Sequence, residues 1–256
     1  MGLAIGGEFL YDNNILWQGG ASMIAGLQKM TLLDYPGKVA CTVFLQGCNF
    51  RCPFCHNSQL LTHDAKPFME EGELLAFLEK RRGILDGVCI TGGEPTLCAG
   101  LEDLLRSIKV LGYAVKLDTN GSRPAVLRQL VEAGLVDYVA MDVKNCPDRY
   151  GQTVGVAGVK LSAVEESLRY LIGGAVAYEL RTTLVRQLHD EAGILQMGQW
   201  LASLVPGKKP RALYLQLFAD RESVVFAGLS APEEAETAHY RHLLTPFVHH
   251  VSLRGE

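Results

Sequence analysis

Gln46-Gly47-Cys48-Asn49-Phe50-Arg51-Cys52-Pro53-Phe54-Cys55-His56-Asn57 sets three cysteines in the spacing Cys-x3-Cys-x2-Cys, with an aromatic residue directly before the third. Three thiolates this close can hold three irons of a 4Fe-4S cube. Such clusters ordinarily take four cysteines, so a missing fourth ligand leaves one iron with a free coordination position. Zinc is the rival, but zinc sites usually carry four Cys or His ligands in two separated pairs. No second Cys-x2-Cys pair follows. Cys41, Cys89, Cys98 and Cys146 are scattered and read as small buried hydrophobes. His56 adjoins Cys55, and that adjacency makes joint ligation of one ion awkward.

Outward from this loop the chain alternates short apolar runs with helical stripes. Residues 39–45, just before the loop, are β-branched and apolar and read as a strand; 70–82 follow as a helix, with Leu74, Leu75, Phe77 and Leu78 on one face. Strands are then expected at 87–90, 113–117, 137–143, 176–185 and 212–218. Helices are expected at 101–111, 124–133, 163–172, 191–204 and 232–244, with a short strand at 249–253. Six strand–helix units in series imply parallel pairing with right-handed crossovers. The fold class is therefore α/β, as an incomplete (β/α)6 barrel or an open doubly wound sheet, in a single domain. Either architecture puts its site at the carboxyl ends of the strands.

The chemistry-bearing residues fall at those ends. Thr91-Gly92-Gly93-Glu94-Pro95-Thr96 follows the second strand, where glycine permits close backbone approach to a ligand and Glu94 adds charge or holds the turn. Asp118 and Asp142 close the third and fourth strands and suit a hard cation with oxygen ligands. Turn or helix capping by Asp118 and Asn120 is the alternative. Arg181 lies inside an apolar strand, a costly position unless it meets an anion.

Hydrophobic content of 48% supports a core of ordinary size, and a net charge of -4 argues against a general nucleic-acid binder. No apolar run is long enough to span a membrane, and residues 1–22 lack the features of a signal peptide. They read as a poorly ordered extension before a domain that occupies 23–256. Seven cysteines without secretory features point to a reducing, cytoplasmic setting. His239, His242, His249 and His250 read as surface or packing residues.

The cysteine triplet together with Gly92-Gly93-Glu94-Pro95 resembles the radical S-adenosylmethionine superfamily. Leu27-Gln28-Lys29, Asp34-Tyr35-Pro36-Gly37 and Cys55-His56-Asn57 are similar to glycyl-radical-enzyme activases, most nearly the anaerobic ribonucleoside-triphosphate reductase activating proteins. The resemblance implies the incomplete barrel. It also implies one 4Fe-4S cluster on Cys48, Cys52 and Cys55, and S-adenosylmethionine at the open iron. Cofactor contacts are implied for Phe54, His56, Gly92, Gly93, Glu94, Asp118, Thr119, Asn120, Asp142, Lys144 and Arg181, with a monovalent cation near Asp118, Thr119 and Asp142. No side-chain catalyst beyond cluster and cofactor is implied.

A protein substrate, the glycyl-radical enzyme, and a flavodoxin or ferredoxin electron donor are the implied partners. One departure stands out: Leu215-Gln216-Leu217-Phe218-Ala219-Asp220 lacks a histidine that some activases carry, leaving Gln216 or Asp220 for any polar contact there. Cys89 is the only cysteine between Cys55 and Gly92, so no inserted ferredoxin-like cluster is expected. The alternative is a small-molecule enzyme of the same superfamily, such as a 7-carboxy-7-deazaguanine synthase.

Overall fold

Strands buried on both faces organise the molecule, as the nearly continuous burial along Ala40–Leu45, Gly87–Gly92 and Ala177–Leu184 shows. The computed structural model describes residues 24–62 and 67–254. Residues 1–22 lie outside the described residues. The strands are β1 (Ile24–Thr31), β2 (Ala40–Leu45), β3 (Gly87–Gly92), β4 (Ala114–Thr119), β5 (Tyr138–Asp142), β6 (Ala177–Leu184), β7 (Ala212–Leu217) and β8 (His250–Leu253). They form one sheet in chain order, β1 antiparallel to β2 and every later neighbour parallel. The helices are α1 (Glu71–Glu79), α2 (Leu101–Val110), α3 (Pro124–Glu132), α4 (Pro147–Val154), α5 (Leu161–Ile172), α6 (Glu191–Ser203) and α7 (Glu234–Leu244).

Alternate strand residues divide between two environments. Val43, Leu45, Val88, Ile90, Val115, Leu117, Val139, Met141, Leu180, Leu213 and Leu215 join the main core with helix residues such as Leu74, Leu105, Leu127 and Leu168. Each leucine so buried contributes about 1.5–3 kcal/mol. The opposite face carries Thr42, Cys89, Lys116, Asp118, Asp142, Arg181, Thr183 and Gln216, and curls around the site. Six βα units thus build a partial, open (β/α) barrel. The sheet ends at β1 and β8, and Arg254 reaches from the end of β8 to the Leu33 carbonyl at 3.4 Å.

Two elements depart from the sequence reading. β1 pairs through register shifts at Ile24/Gly26 and Gln28/Thr31, which blur its alternation. α4 is two turns long with Gly151 in its middle, so its apolar stripe is faint. Its ends nonetheless carry the usual punctuation, Pro147 in the first turn and Gly155 at φ +65° beyond the last. The helix supports the cysteine loop: Arg51 N–H donates to the Val154 carbonyl at 2.8 Å, and Tyr150 meets Phe50 edge-on.

Candidate active site

Cys48, Cys52 and Cys55 lie on the loop after β2 and line one cavity of about 510 Å3 at the carboxyl ends of the strands. That volume suits a cofactor-sized ligand. The loop is tied at several points. Gly47 N–H donates to the Leu60 carbonyl at 2.7 Å, Cys55 N–H to the Cys52 carbonyl at 3.1 Å, and Phe50 N–H to Cys48 Sγ at 3.4 Å. Burial pushes the Cys48 thiol up to about 12 and the Cys52 thiol up to about 11. A metal beside them would favour the thiolates. Among the described residues no three His, Cys, Asp or Glu groups are placed to hold a single metal ion. A cube presents its irons at separate corners, so three thiolates need not converge on a point.

The Gly92-Gly93 turn is packed against the start of this loop. Gly92 takes φ +119°, and a Cβ on Gly93 would sit 2.1 Å from the Gly47 carbonyl oxygen and 3.3 Å from Cys48 Cβ. Only glycine permits that approach. Gly93 N–H donates to the Leu45 carbonyl at 2.9 Å and Glu94 N–H to the Gly47 carbonyl at 2.7 Å. Asn57, beside the last cysteine, donates from Nδ2 to the Gly92 carbonyl at 3.0 Å. Nothing in the local sequence assigns Asn57 a role. Here it closes the clamp between loop and turn.

Of the two roles open to Glu94, the structure shows it holding the turn. Its carboxylate is fully buried and faces away from the cavity wall. It accepts from Thr96 N–H at 3.1 Å, the Thr96 hydroxyl, the Thr119 hydroxyl at 2.8 Å and Asn120 N–H at 2.6 Å. Burial raises its pKa while these donors oppose the rise. Glu94 therefore brackets the turn to the end of β4. Thr119 lines the cavity, yet its hydroxyl is spent on Glu94 and on accepting from Gly121 N–H at 3.1 Å. Asn120 lines the cavity and donates to Asn49 Oδ1 at 3.0 Å, joining β4 to the cysteine loop.

Asp118, Asp142, Lys144 and Arg181 also line the cavity. Arg181 bridges the two aspartates, with NH1 on Asp118 Oδ2 and Nε on Asp142 Oδ1, each at 3.0 Å. Lys144 Nζ meets Asp142 Oδ2 at 2.9 Å and stands 5.9 Å from the centre of the Phe54 ring. Burial works to raise both carboxyl pKa values. It is outweighed at Asp118 by Arg181 and Lys116 and at Asp142 by Arg181 and Lys144, so both lie below the usual carboxylate range. Burial would lower Lys144, but Asp142 outweighs it and holds the ammonium charged. Lys116, unremarked in the sequence reading, donates to Asp118 Oδ1.

His56 stacks on Phe218 with ring centroids 5.7 Å apart and reaches the Ala219 carbonyl at 2.7 Å. It thereby packs on the residues just after β7. Gln216 lines the cavity and Asp220 does not. Cys41, Cys89, Cys98 and Cys146 are buried, as expected of small core residues.

Residues 42–189 match the Radical SAM superfamily, and that span contains the cysteine loop, the glycine turn and the aspartate–arginine network. The chain belongs to the radical S-adenosylmethionine superfamily. It is an oxidoreductase of that class. A protein of Methanocaldococcus jannaschii, named provisionally as a glycyl-radical enzyme activating enzyme, is 30% identical over 91% of this chain and 96% of its own length. Another of Thermococcus kodakarensis, named provisionally as a GTP 3',8-cyclase, is 32% identical over 78% of this chain and 60% of its own. A domain of a pyruvate-formate lyase-activating enzyme from Bacteroides vulgatus shares the fold at a TM-score of 0.54 and 21% identity, over 66% of this chain and 99% of its own.

Proposed function

We propose that the protein activates a glycyl-radical enzyme, most nearly an anaerobic ribonucleoside-triphosphate reductase. The observation that carries this reading is the sharing of one cavity by three cysteines of one loop, a glycine turn and a charged network. Cys48, Cys52 and Cys55 fit a 4Fe-4S cluster with one open iron, and the cavity has room for S-adenosylmethionine. Held by Cys48, Cys52 and Cys55, the cluster would supply the electron for reductive cleavage of the cofactor's sulfonium, and with it hydrogen abstraction from a glycine of the partner. The chain's own residues hold and shield. Phe54 and His56 wall the cavity beside the last cysteine, Gly92 and Gly93 give close backbone approach, and Asn120 and Gln216 offer polar contacts. Arg181 and Lys144 keep positive charge ready for a carboxylate.

The relative of Methanocaldococcus jannaschii, matched nearly end to end, favours an activase over a small-molecule enzyme. The sheet is not closed by pairing of β1 with β8, which is compatible with a protein loop as substrate. The reading carries with it a cytoplasmic setting and a flavodoxin or ferredoxin donor. Among the described residues no helix is long and apolar enough to cross a membrane. Reconstituted, reduced protein mixed anaerobically with S-adenosylmethionine is expected to release 5'-deoxyadenosine. Cluster-loaded protein that releases none would refute both the activase and the small-molecule reading.

A further inference from the structure

Lys116 is fully buried on the inner face of β4, two residues before Asp118. Its register partners are Cys89 on β3 and Tyr138 on β5. A buried ammonium is costly without a counter-charge. Lys116 finds one in Asp118 Oδ1, with the Cys89 thiol 3.8 Å away. Burial, with Asp118 next, raises the Cys89 pKa far above its ordinary value, so this thiol brings no charge.

The five side chains form a linear chain of alternating sign: Lys116, Asp118, Arg181, Asp142, Lys144. All four carboxylate oxygens are engaged, Asp118 Oδ1 by Lys116, Asp118 Oδ2 and Asp142 Oδ1 by Arg181, and Asp142 Oδ2 by Lys144. Three cations stand against two anions in this chain; with Asp34, Arg221 and Arg254 of the cavity lining and Glu179 beside Arg181 included, five cations meet four anions, so the site keeps one net positive charge. An alkali ion, implied above near Asp118, Thr119 and Asp142, does not fit this arrangement. It would have to displace a protein cation from a carboxylate or add to a site that is already positive. Thr119 offers little in exchange, since its hydroxyl donates to Glu94 and accepts from Gly121 N–H.

We propose that Lys116 is the resident cation of this site, its ammonium taking on Asp118 the place of an alkali ion, so that the positive floor which seats an α-amino acid carboxylate needs no bound metal. The carboxylate part rests on the reading that S-adenosylmethionine enters this cavity. The metal-free part stands on the chain alone. Like Arg181, Lys116 lies within an apolar strand, Ala114-Val115-Lys116-Leu117, where a charge is costly unless it meets an anion.

The test uses the cofactor-free protein with potassium, sodium, thallous or tetramethylammonium salts at equal ionic strength, read by melting temperature and by thallium NMR. Wild-type protein is expected to melt at one temperature in all four and to show no slowly exchanging thallium. Lys116→Met leaves Asp118 Oδ1 without its partner, and potassium should then raise its melting temperature by roughly 3 °C or more over tetramethylammonium. Adding Asp118→Asn should abolish that rise. If Lys116→Met fails to fold, Lys116→Gln, which keeps a hydrogen-bond donor but no charge, carries the same expectation.

Wild-type protein stabilised specifically by potassium, or a neutral Lys116 variant indifferent to it, overturns the assignment. S-adenosylmethionine affinity, measured by calorimetry, is expected to be independent of potassium in wild type and to fall about tenfold in the variant without it, a loss of about 1.4 kcal/mol. Cofactor that fails to bind at all would sink the functional reading while the salt measurements still decide the role of Lys116.

Discussion

Glu94→Gln separates a structural bracket from a cofactor contact. The wild-type carboxylate faces four donors and no acceptor, two of the donors being backbone N–H groups. With its amide oxygen toward Thr96 and Thr119, the glutamine turns an NH2 group against Asn120 N–H, now 2.6 Å from Oε2. Flipped, it turns the NH2 group against Thr96 N–H at 3.1 Å. The hydroxyls can rotate to accept, whereas the backbone N–H groups cannot. One buried N–H therefore loses its partner, about 1–3 kcal/mol, and the remaining bonds lose the strength that a charged acceptor lends. The expected total is about 2–4 kcal/mol, a fall of roughly 5–15 °C in melting temperature. Urea unfolding of the cofactor-free protein should show a lower midpoint at unchanged slope. Exchange of the Asn120 amide should also quicken. A stability loss under about 0.5 kcal/mol, with binding of S-adenosylmethionine weakened, would refute the bracket and return Glu94 to the cavity wall.

Gly93→Ala drives a Cβ into the Gly47 carbonyl and prises the turn from the cysteine loop; it should cost about 1–3 kcal/mol or more and lower iron and sulfide content after reconstitution, assayed chemically. Arg181→Met leaves two part-buried carboxylates facing each other with one cation apiece, so a loss of about 1–3 kcal/mol is expected in denaturant unfolding, along with weaker cofactor binding. His189 accepts Val185 N–H at Nδ1 and donates from Nε2 to the Lys144 carbonyl, and burial lowers its pKa. The unfolded chain then binds the proton more readily, so the stabilisation is full above about pH 6.5 and declines as pH falls through the lowered folded value, by at most about 1.4 kcal/mol per pH unit. His189→Asn should flatten that slope relative to wild type in urea midpoints measured between those limits.

The barrel and the rim were legible because each rests on short-range signals. Residues 39–45 lead directly into the cysteines, and Asp118, Asp142 and Arg181 sit where strands alternate with helices. β1 was not legible, since its register shifts and Gly26 break the alternation that a strand reading needs. α4 was missed because two turns around Gly151 give too little stripe, although Pro147 and Gly155 marked its ends. The hold of Glu94 on its own turn is local, through Thr96 two residues on, but its bonds to Thr119 and Asn120 come from the end of another strand and are not encoded nearby. Lys116 carried the same signal as Arg181. Its pairing with Asp118, two residues on along the same face, follows from strand periodicity.

Electron paramagnetic resonance tests the central claim most directly. Cluster-loaded, reduced protein is mixed anaerobically with S-adenosylmethionine and an anaerobic ribonucleoside-triphosphate reductase from the same genome. A glycine-centred doublet should appear on the reductase and be lost when Cys48, Cys52 or Cys55 is changed to serine. Vigorous release of 5'-deoxyadenosine with no glycyl signal on that partner would contradict the activase account.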